Sequence, residues 1–221
     1  MASVQPVTSK RVPRAIREQQ MLDSAVAVFA RRGFHAASMD EIAEMAGISK
    51  PMVYAYLGTK EDLFTACLHR EATRMVEAVV YSVPPEAGPA EQLWNGLRGF
   101  FTFVDAHRDG WMLLYRQSRG REPFASEWVG MRGRMVEIVS ALLARAVAGA
   151  GGPAGPADIE PVTHALVGAA ESMADWLVDH PDEEPERTAG RLMSFIWLGA
   201  DDLLKGAAWR GSSVQRGTDH G

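Results

Sequence analysis

Two short helical patterns joined at a glycine constrain the fold of this chain more than any other feature. Ser38 to Glu41 reads Ser-Met-Asp-Glu, a capping box that starts a helix, and Gly47 ends this helix after about two turns. Ser49 then caps a second short helix that ends near Leu57. Two short helices with a tight glycine-containing turn form a helix-turn-helix, whose second helix enters the major groove of DNA.

The proline in the second helix supports this interpretation. Pro51 lies in the first turn after Ser49, where backbone N–H groups have no helical partner and a preset φ favours the helix. Ile48, Val53 and Leu57 then share the inner face of this helix. The opposite face is left to contact DNA.

The residues predicted to contact DNA fall into groups by their chemistry. A tyrosine hydroxyl or a helix N-terminus suits phosphate, and side chains in the middle of the second helix reach base edges. Lys60 opposes the dipole of the helix that it starts, a misfit that a neighbouring phosphate would explain. Base edges are expected to meet Lys50, Met52 and Ala55, and phosphates are expected to meet Ser38, Tyr54, Tyr56 and Lys60. Ser49 is also expected to contact DNA, and Arg11 and Arg14 are expected to reach the backbone or minor groove from a mobile N-terminal arm. The alternative is that the two tyrosines pack inside a small helical bundle.

The charge distribution agrees with a DNA-binding N-terminal part. Residues 1–60 carry eight Lys and Arg against five Asp and Glu, whereas the remaining 161 residues carry 15 against 23. A basic end on an acidic body indicates that the first part meets a polyanion.

The rest of the chain is helical in pattern and divides at two linkers. Apolar residues recur with helical spacing, and Pro- and Gly-rich segments at 82–91 and 148–158 interrupt them. No stretch alternates as a strand does, and no apolar run approaches the ~18 residues of a membrane span. We therefore predict an all-α chain of about nine helices, with a DNA-binding domain at 1–58, a second domain at 59–206 and a disordered tail at 207–221.

The sequence resembles the tetracycline-repressor (TetR-like) family of transcriptional regulators. The resemblance rests on SMDEIAEMAGISKPMVYAYLGTKEDLF (38–64), preceded by AVAVFARRGFHAAS (25–38), which is similar to the first helix of the family. It implies that Tyr54 and Lys60 contact the DNA backbone, although this chain has Tyr56 and Leu57 where the family often has histidine and phenylalanine. It also implies a ligand pocket in the middle helices and a homodimer whose last two helices form a four-helix interface.

The last two helices have the composition of such an interface. Small residues allow close helix approach, and a terminal helix this rich in apolar residues needs a covering surface. Burial inside one chain is the alternative. The residues predicted to form the dimer interface are Ala165, Gly168, Ala169, Leu192, Phe195, Ile196 and Gly199.

Aromatic residues are concentrated between residues 94 and 135. Glycines interrupt the same helices at 96, 99, 130 and 133, although each costs ~1 kcal/mol relative to alanine. Either close helix packing or a cavity would keep these side chains small, and the sequence favours neither. The residues predicted to bind a ligand are Trp94, Phe101, Trp111, Tyr115, Trp128 and Met135.

Three arginines in RQSRGRE (116–122) lie next to these aromatic residues in the sequence. They are explained by a solvated loop, and the alternative is that they bind an anionic head group of the ligand.

The pattern does not favour an enzyme or a metalloprotein. His164, Glu171 and Asp175 share one face of a helix, but residues seven apart lie ~10.5 Å apart along the axis, too far to share one ion alone. The chain also contains no glycine-rich phosphate loop, nucleophile elbow or cysteine cluster, and Cys67 is expected to be a small buried apolar residue.

We therefore expect a regulator that binds a palindromic DNA operator as a homodimer and is released by a small apolar ligand. The lone cysteine fits a reducing cytoplasm, and no cofactor, metal or membrane partner is expected. The alternative is an architectural DNA-binding protein without a ligand, which would show little sequence preference.

Overall fold

Helices are the only regular elements in the computed structural model, which describes residues 13–119, 123–150 and 155–204. Within these ranges the elements are α1 (Arg14–Ala36), α2 (Met39–Met45), α3 (Lys50–Leu57), α4 (Lys60–Ser82), α5 (Pro89–Ala106), α6 (Arg108–Trp111), a π-helical segment (Met112–Ser118), α7 (Ala125–Ala150), α8 (Pro156–Val178) and α9 (Pro185–Leu204). The predicted all-α fold with about nine helices is confirmed. The predicted tail at 207–221 lies outside the described residues.

The N-terminal caps differ in one respect from the predicted ones. The Ser38 side chain accepts a hydrogen bond from the backbone N–H of Asp40 at 3.1 Å, so Ser38 caps α2 as expected. The Glu41 carboxylate does not complete the predicted capping box, because it binds Arg31 Nη2 at 3.1 Å and Arg32 Nε at 3.4 Å. A charged donor makes a stronger hydrogen bond to a carboxylate than a backbone N–H does, so the two arginines hold Glu41 against α1.

The full capping box lies at the start of α4 instead. The Thr59 side chain accepts from the backbone N–H of Asp62 at 3.1 Å, and Asp62 Oδ2 accepts from the backbone N–H of Thr59 at 2.9 Å. These hydrogen bonds lower the pKa of the Asp62 carboxyl. They fix the direction in which α4 leaves the helix-turn-helix.

Lys60, the first residue of α4, is bound to the end of α1. Its Nζ donates to the carbonyl oxygens of His35 at 3.1 Å and Ala37 at 2.9 Å, and it lies 4.8 Å from the centre of the Phe34 ring. Carbonyl groups at a helix C-terminus carry partial negative charge and attract a cation. The unfavourable position of Lys60 at the start of α4 is thus offset within the chain, without a phosphate.

The apolar core runs from α1 to α9 without a break. Buried residues of α4, among them Leu63, Phe64, Leu68 and Met75, form its central part. Cys67 belongs to this part, and burial raises the pKa of its thiol to about 12, so the thiol stays neutral. The helix-turn-helix therefore packs on the same core as the helices that follow it.

Close packing explains one of the four glycines noted in the sequence. A Cβ atom at Gly99 would lie 2.6 Å from Ser82 Cβ and 3.2 Å from the Ala78 carbonyl oxygen. Ser82 Oγ donates to the Val79 carbonyl oxygen at 2.7 Å and to the Asn95 carbonyl oxygen at 2.9 Å, which holds the end of α4 against α5. Gly99 is thus required where these two helices approach each other.

The other three glycines differ from Gly99. Gly96 faces Val83 and Val79, whose side chains would lie 3.5 and 3.9 Å from an added Cβ. Gly130 and Gly133 have no atom of the described chain within 4 Å of an added Cβ, so no contact among the described residues requires glycine there.

We expect Gly99→Ala to lower the free energy of unfolding by about 1–3 kcal/mol, because the added methyl group forces α4 and α5 apart. Gly133→Ala is the matched control and should raise this free energy by about 0.5–1 kcal/mol, because alanine favours the helix and meets open space. Urea unfolding followed by circular dichroism measures both. Equal effects of the two substitutions would contradict the packing argument.

Candidate DNA-binding surface and ligand cavity

The turn between α2 and α3 fixes which face of α3 is exposed. Gly47 adopts φ 66°, a conformation that side chains disfavour, and the Ile48 N–H donates to the Ala43 carbonyl oxygen at 3.0 Å. Val53 is then completely buried, and Leu57 packs partly against the core. The inner face is the one predicted from the sequence.

The outer face of α3 carries the residues predicted to contact DNA. Tyr54 is 45% exposed and Ala55 is also exposed, whereas Lys50, Met52 and Tyr56 are half-buried. Lys50 Nζ donates to Asp40 Oδ2 at 2.9 Å, and this hydrogen bond raises the pKa of Lys50. These side chains form one surface.

The start of α1 lies beside this surface and adds two arginines to it. The Arg14 guanidinium lies 5.1 Å from the centre of the Tyr56 ring, and Arg17 Nη1 lies 3.6 Å from Met52 Sδ. Arg14 was predicted from the sequence, but Arg17 was missed. The signal for Arg17 was its position one helical turn after Arg14, which puts both on one face of α1.

The remaining predicted DNA contacts are placed as follows. Ser38 uses its hydroxyl oxygen to cap α2, whereas Ser49 is the N-cap of α3 and makes no capping hydrogen bond with its side chain. Lys60 gives two of its donors to the end of α1. Arg11 lies outside the described residues. The DNA-binding roles of all these residues stay predictions.

A second feature of the molecule is an apolar cavity between α4, α5, α6, α7 and α8. Counted together with the space open to solvent at its mouth, its empty volume is about 670 Å³. Its walls are apolar side chains and Gly96, with one charged pair, Arg132 and Glu171. The cavity lies in the middle helices, as the resemblance implied.

Three of the six predicted ligand-binding residues line this cavity, namely Trp111, Trp128 and Met135. The structure does not bring the other three to its wall. Phe101 is completely buried in the core, Tyr115 stacks on Trp111 with ring centres 5.1 Å apart, and Trp94 lies on the side of α5 that meets Gly190 of α9. Residues missed by the sequence analysis include Met75 and Val79 of α4 and Leu166 of α8. No sequence signal separates them from ordinary core residues.

The charged pair in the wall joins α7 to α8. Arg132 Nε lies 2.8 Å from Glu171 Oε1, and Glu171 is only 7% exposed. Burial raises the pKa of the Glu171 carboxyl, and the charges of Arg132, Arg119 and His164 oppose this shift. The carboxylate is therefore easier to protonate than an exposed one.

The arginines of segment 116–122 have different environments. Arg116 binds Asp175 Oδ1 at 2.6 Å and Asp179 Oδ2 at 2.7 Å, which ties the π-helical segment to α8 and raises the pKa of Arg116. The Arg119 guanidinium lies 5.0 Å from the centre of the Tyr115 ring and 6.0 Å from that of Trp128. Arg121 lies outside the described residues.

The face of α8 that carries His164, Glu171 and Asp175 was considered above as a metal site, and two of these residues take part in ion pairs. Glu171 binds Arg132 and Asp175 binds Arg116, so neither is left to join His164. Over the described ranges, no three His, Cys, Asp or Glu side chains are grouped as metal ligands. Nor is any helix in these ranges long and apolar enough to cross a membrane.

The residues predicted for the dimer interface are partly exposed and partly covered by their own chain. Phe195 is 75% exposed, and Ala165 is exposed on α8. Leu192 is only 2% exposed, so its side chain belongs to the core of one chain and offers no surface to a second copy. Gly168, Ala169 and Ile196 are half-buried, and Gly199 lies further along α9. Trp176 of α8, which the sequence analysis missed, is 40% exposed and stacks on His180.

Comparisons with known proteins cover both the helix-turn-helix and the helices that follow it. Residues 21–67 match the family model of bacterial regulatory proteins of the tetR family, and residues 89–199 match the model of the tetracyclin repressor-like C-terminal domain. A crystal structure of a TetR-like transcriptional regulator from Rhodococcus sp. RHA1 is 44% identical, with a TM-score of 0.75, and the match covers 86% of this chain and 99% of that chain.

Two curated relatives are also similar. The transcriptional activator FasR of Mycolicibacterium smegmatis is 35% identical over 113 residues, 51% of this chain and 52% of that protein, so the match spans about half the length of this relative. The uncharacterized regulator MT1294 of Mycobacterium tuberculosis is 31% identical over 160 residues, 72% of this chain and 74% of that protein. With both family models matched in their expected order, the chain belongs to the TetR family of bacterial transcriptional regulators.

Proposed function

We propose that this regulator is a repressor that binds a palindromic operator as a homodimer and is released when an apolar ligand enters the cavity. The observation that carries the proposal is that one helix, α4, lines the cavity and is also bound to the helix-turn-helix. Residues 1–58 act as the DNA-binding part, and the helices from α4 onward as the ligand and dimer part.

The cavity end of α4 supplies Met75 and Val79 to the wall. A ligand that needs more space than the empty cavity offers must push on these side chains. Because protein interiors are closely packed, such a displacement moves the helix rather than being absorbed by soft packing. A ligand in the cavity thus acts on α4 directly.

The middle and the start of α4 are bound to α1. Arg70 Nη1 lies 2.7 Å from Asp23 Oδ1 and donates to the Gln19 carbonyl oxygen at 3.3 Å. Lys60 Nζ is bound to the carbonyl oxygens at the end of α1. The helix-turn-helix therefore follows α4 when that helix moves.

A buried carboxylate strengthens this connection. Glu71 Oε1 lies 2.7 Å from Arg70 Nη2 and 3.3 Å from Arg74 Nη1, and its side chain is 2% exposed. Removing one partner from a buried ion pair costs several kcal/mol because it leaves an uncompensated charge. Glu71 thereby holds Arg70 and Arg74 of the same helix in place, and their Nη1 atoms lie 2.7 and 3.7 Å from Asp23 Oδ1 of α1.

Movement of α4 changes DNA affinity because two recognition helices must enter successive major grooves. Their centres must lie ~34–36 Å apart to do so. A ligand that binds only a form in which the two recognition helices lie at a different distance lowers the affinity for DNA. DNA then lowers the affinity for the ligand by the same factor. This reciprocity distinguishes the proposal from an architectural protein without a ligand.

The first test concerns the outer face of α3. Tyr54→Phe removes only a hydroxyl group. We expect it to weaken binding to the operator and to random duplex alike, by about threefold to tenfold, as for one lost hydrogen bond. Fluorescence anisotropy at fixed salt measures both affinities. Tyr81→Phe, on an 83% exposed residue of α4, is the control and should change neither.

Unchanged operator affinity in Tyr54→Phe would remove the phosphate contact from the proposal. A wild-type affinity ratio near one between operator and random duplex would favour the architectural protein instead.

The second test concerns the cavity. A thermal-shift screen of apolar molecules, with n-dodecanol as one probe, should find ligands that raise the melting temperature by several °C and release the operator. Gly96→Leu adds a side chain next to Val79 and Val83 in the cavity wall, and should abolish both effects while operator binding persists. Gly133→Leu, in open space on α7, is the matched control. A ligand that raises the melting temperature but leaves operator binding unchanged would disprove the coupling.

The third test concerns the dimer. Light scattering should give twice the 24.1 kDa mass of one chain at micromolar concentration. Phe195→Glu places a charge on the exposed apolar part of α9 and should yield monomers that no longer bind the palindrome tightly. Val129→Glu, on a 64% exposed residue of α7, should leave the dimer intact. A wild-type mass of one chain would rule out the dimer.

A further inference from the structure

The cavity wall contains a single charged pair among the residues that line it. Arg132 of α7 and Glu171 of α8 are joined by a 2.8 Å contact between Nε and Oε1, and every other lining residue is apolar or glycine. Taking two charges out of water is unfavourable, and well-packed apolar residues often serve stability as well as a buried pair does. A charged pair in an otherwise apolar wall therefore calls for a role beyond stability.

Arg132 connects the cavity with the surface. Its side chain lines the cavity, yet it is 28% exposed, and Nη1 lies 3.4 Å from Nδ1 of the exposed His164. Arginine commonly packs its aliphatic stem on apolar surface and keeps its guanidinium in a polar environment. The guanidinium thus lies where a ligand in the cavity would meet water.

Among the described residues, positive charge exceeds negative charge around this pair. Arg119, which lies over the ring of the cavity residue Trp128, acts with Arg132 on the single carboxylate of Glu171. The nearest further carboxylates along α8, Asp175 and Asp179, are already bound by Arg116. Arg132 binds Glu171, and the charge of Arg119 also acts on this carboxylate, so the described residues favour an anion here.

A ligand can displace Glu171 from Arg132. Burial raises the pKa of this carboxyl, so taking up a proton costs less than it would in water. Glu171 reaches Arg132 through one contact, between Oε1 and Nε. A ligand carboxylate could accept both donors of the arginine fork, and it would leave no unpaired charge on Arg132. An anionic head group can therefore exchange with Glu171, whereas a cationic one would face two guanidinium groups.

Another residue of the cavity wall has a donor without a partner. Trp111 lines the cavity, and its Nε1 is buried without a hydrogen-bond partner in the described chain. Buried polar groups are nearly always hydrogen-bonded, and each exception asks for an explanation. An oxygen atom on a bound ligand would supply the missing acceptor.

We propose that the ligand is an amphiphile with one apolar chain and one carboxylate head, with the chain in the cavity and the head on Arg132 in place of Glu171. This inference rests on the proposed function, in which the same cavity binds the ligand that releases DNA. Arg132 is then the residue that selects the head group.

Three probes with the same chain and different heads test the inference, namely dodecanoate, n-dodecanol and dodecylamine. Calorimetric titration of the full chain, below the micelle concentration of each probe, should give dodecanoate an affinity tenfold to a hundredfold above that of dodecanol, as for one charged hydrogen-bonded contact. Dodecylamine should bind more weakly than dodecanol.

Variants assign the preference to Arg132. Arg132→Gln should remove the advantage of dodecanoate and leave the affinity for dodecanol within about threefold. The double variant Arg132→Gln with Glu171→Gln keeps a polar pair without buried charge, and should give the same result if the single variant does not fold. Arg134→Gln, on an exposed residue of the same helix, is the matched control and should keep the advantage.

Several outcomes would overturn the inference: equal affinities for dodecanoate and dodecanol, an advantage that survives in both Arg132 variants, or tighter binding of dodecylamine. Operator release separates these failures from failure of the proposed function. Equal binding of dodecanoate and dodecanol with release of the operator would disprove the head-group inference alone. An Arg132-dependent preference without release would disprove the proposed coupling alone, and binding by none of the three probes would disprove both.

Discussion

Four phenylalanine rings meet where α1, α4 and the start of α7 converge, and the remaining structure depends on this contact. Phe64 of α4 is completely buried and touches Phe29, Phe34 and Phe124, with ring centres 4.9, 5.1 and 4.6 Å away. Edge-to-face aromatic contacts add ~0.5–1.5 kcal/mol each to the burial of the rings. The four rings belong to α1, α4 and the residue directly before α7. The helix-turn-helix therefore cannot be positioned independently of the helices that enclose the cavity.

Polar contacts around this aromatic cluster determine the register of the same helices. Lys60 lies over the Phe34 ring and binds the end of α1, while Gln117 of the π-helical segment donates to the Phe29 carbonyl oxygen at 2.8 Å. Apolar contacts are not directional, so they bring helices together without fixing how far one slides along the other. Hydrogen bonds and ion pairs of fixed geometry supply that information here.

The cavity and the outer face of α3 have opposite chemistry, which fits the separate roles proposed for them. The outer face of α3 offers hydroxyl, amine and thioether groups beside arginines of α1, whereas the cavity offers apolar walls and one charged pair. Residues such as Trp111 and Trp128 serve both the core and the cavity, since they are buried yet face empty space. A ligand that fills this space gains apolar contacts that the empty protein lacks.

The sequence by itself determined the features that depend on near neighbours along the chain. Gly47 and Pro51 predicted the turn and the first turn of α3, and the spacing of Ile48, Val53 and Leu57 predicted which face is buried, because caps, turns and helix faces are set within a few residues. For the same reason the residues 25–64 sufficed to indicate the family.

Only the tertiary structure decided which side chains from distant helices meet. Phe101 and Trp111 have the same apolar character in the sequence, but Trp111 lines the cavity and Phe101 does not. Leu192 belongs to the core of one chain while Phe195, three residues later on the same helix, is exposed. Likewise, nothing in the sequence indicated that Lys60, at the start of α4, donates to the carbonyl oxygens at the end of α1. These outcomes depend on how helices pack across long sequence separations, and helical periodicity carries no information about which partner each face will meet.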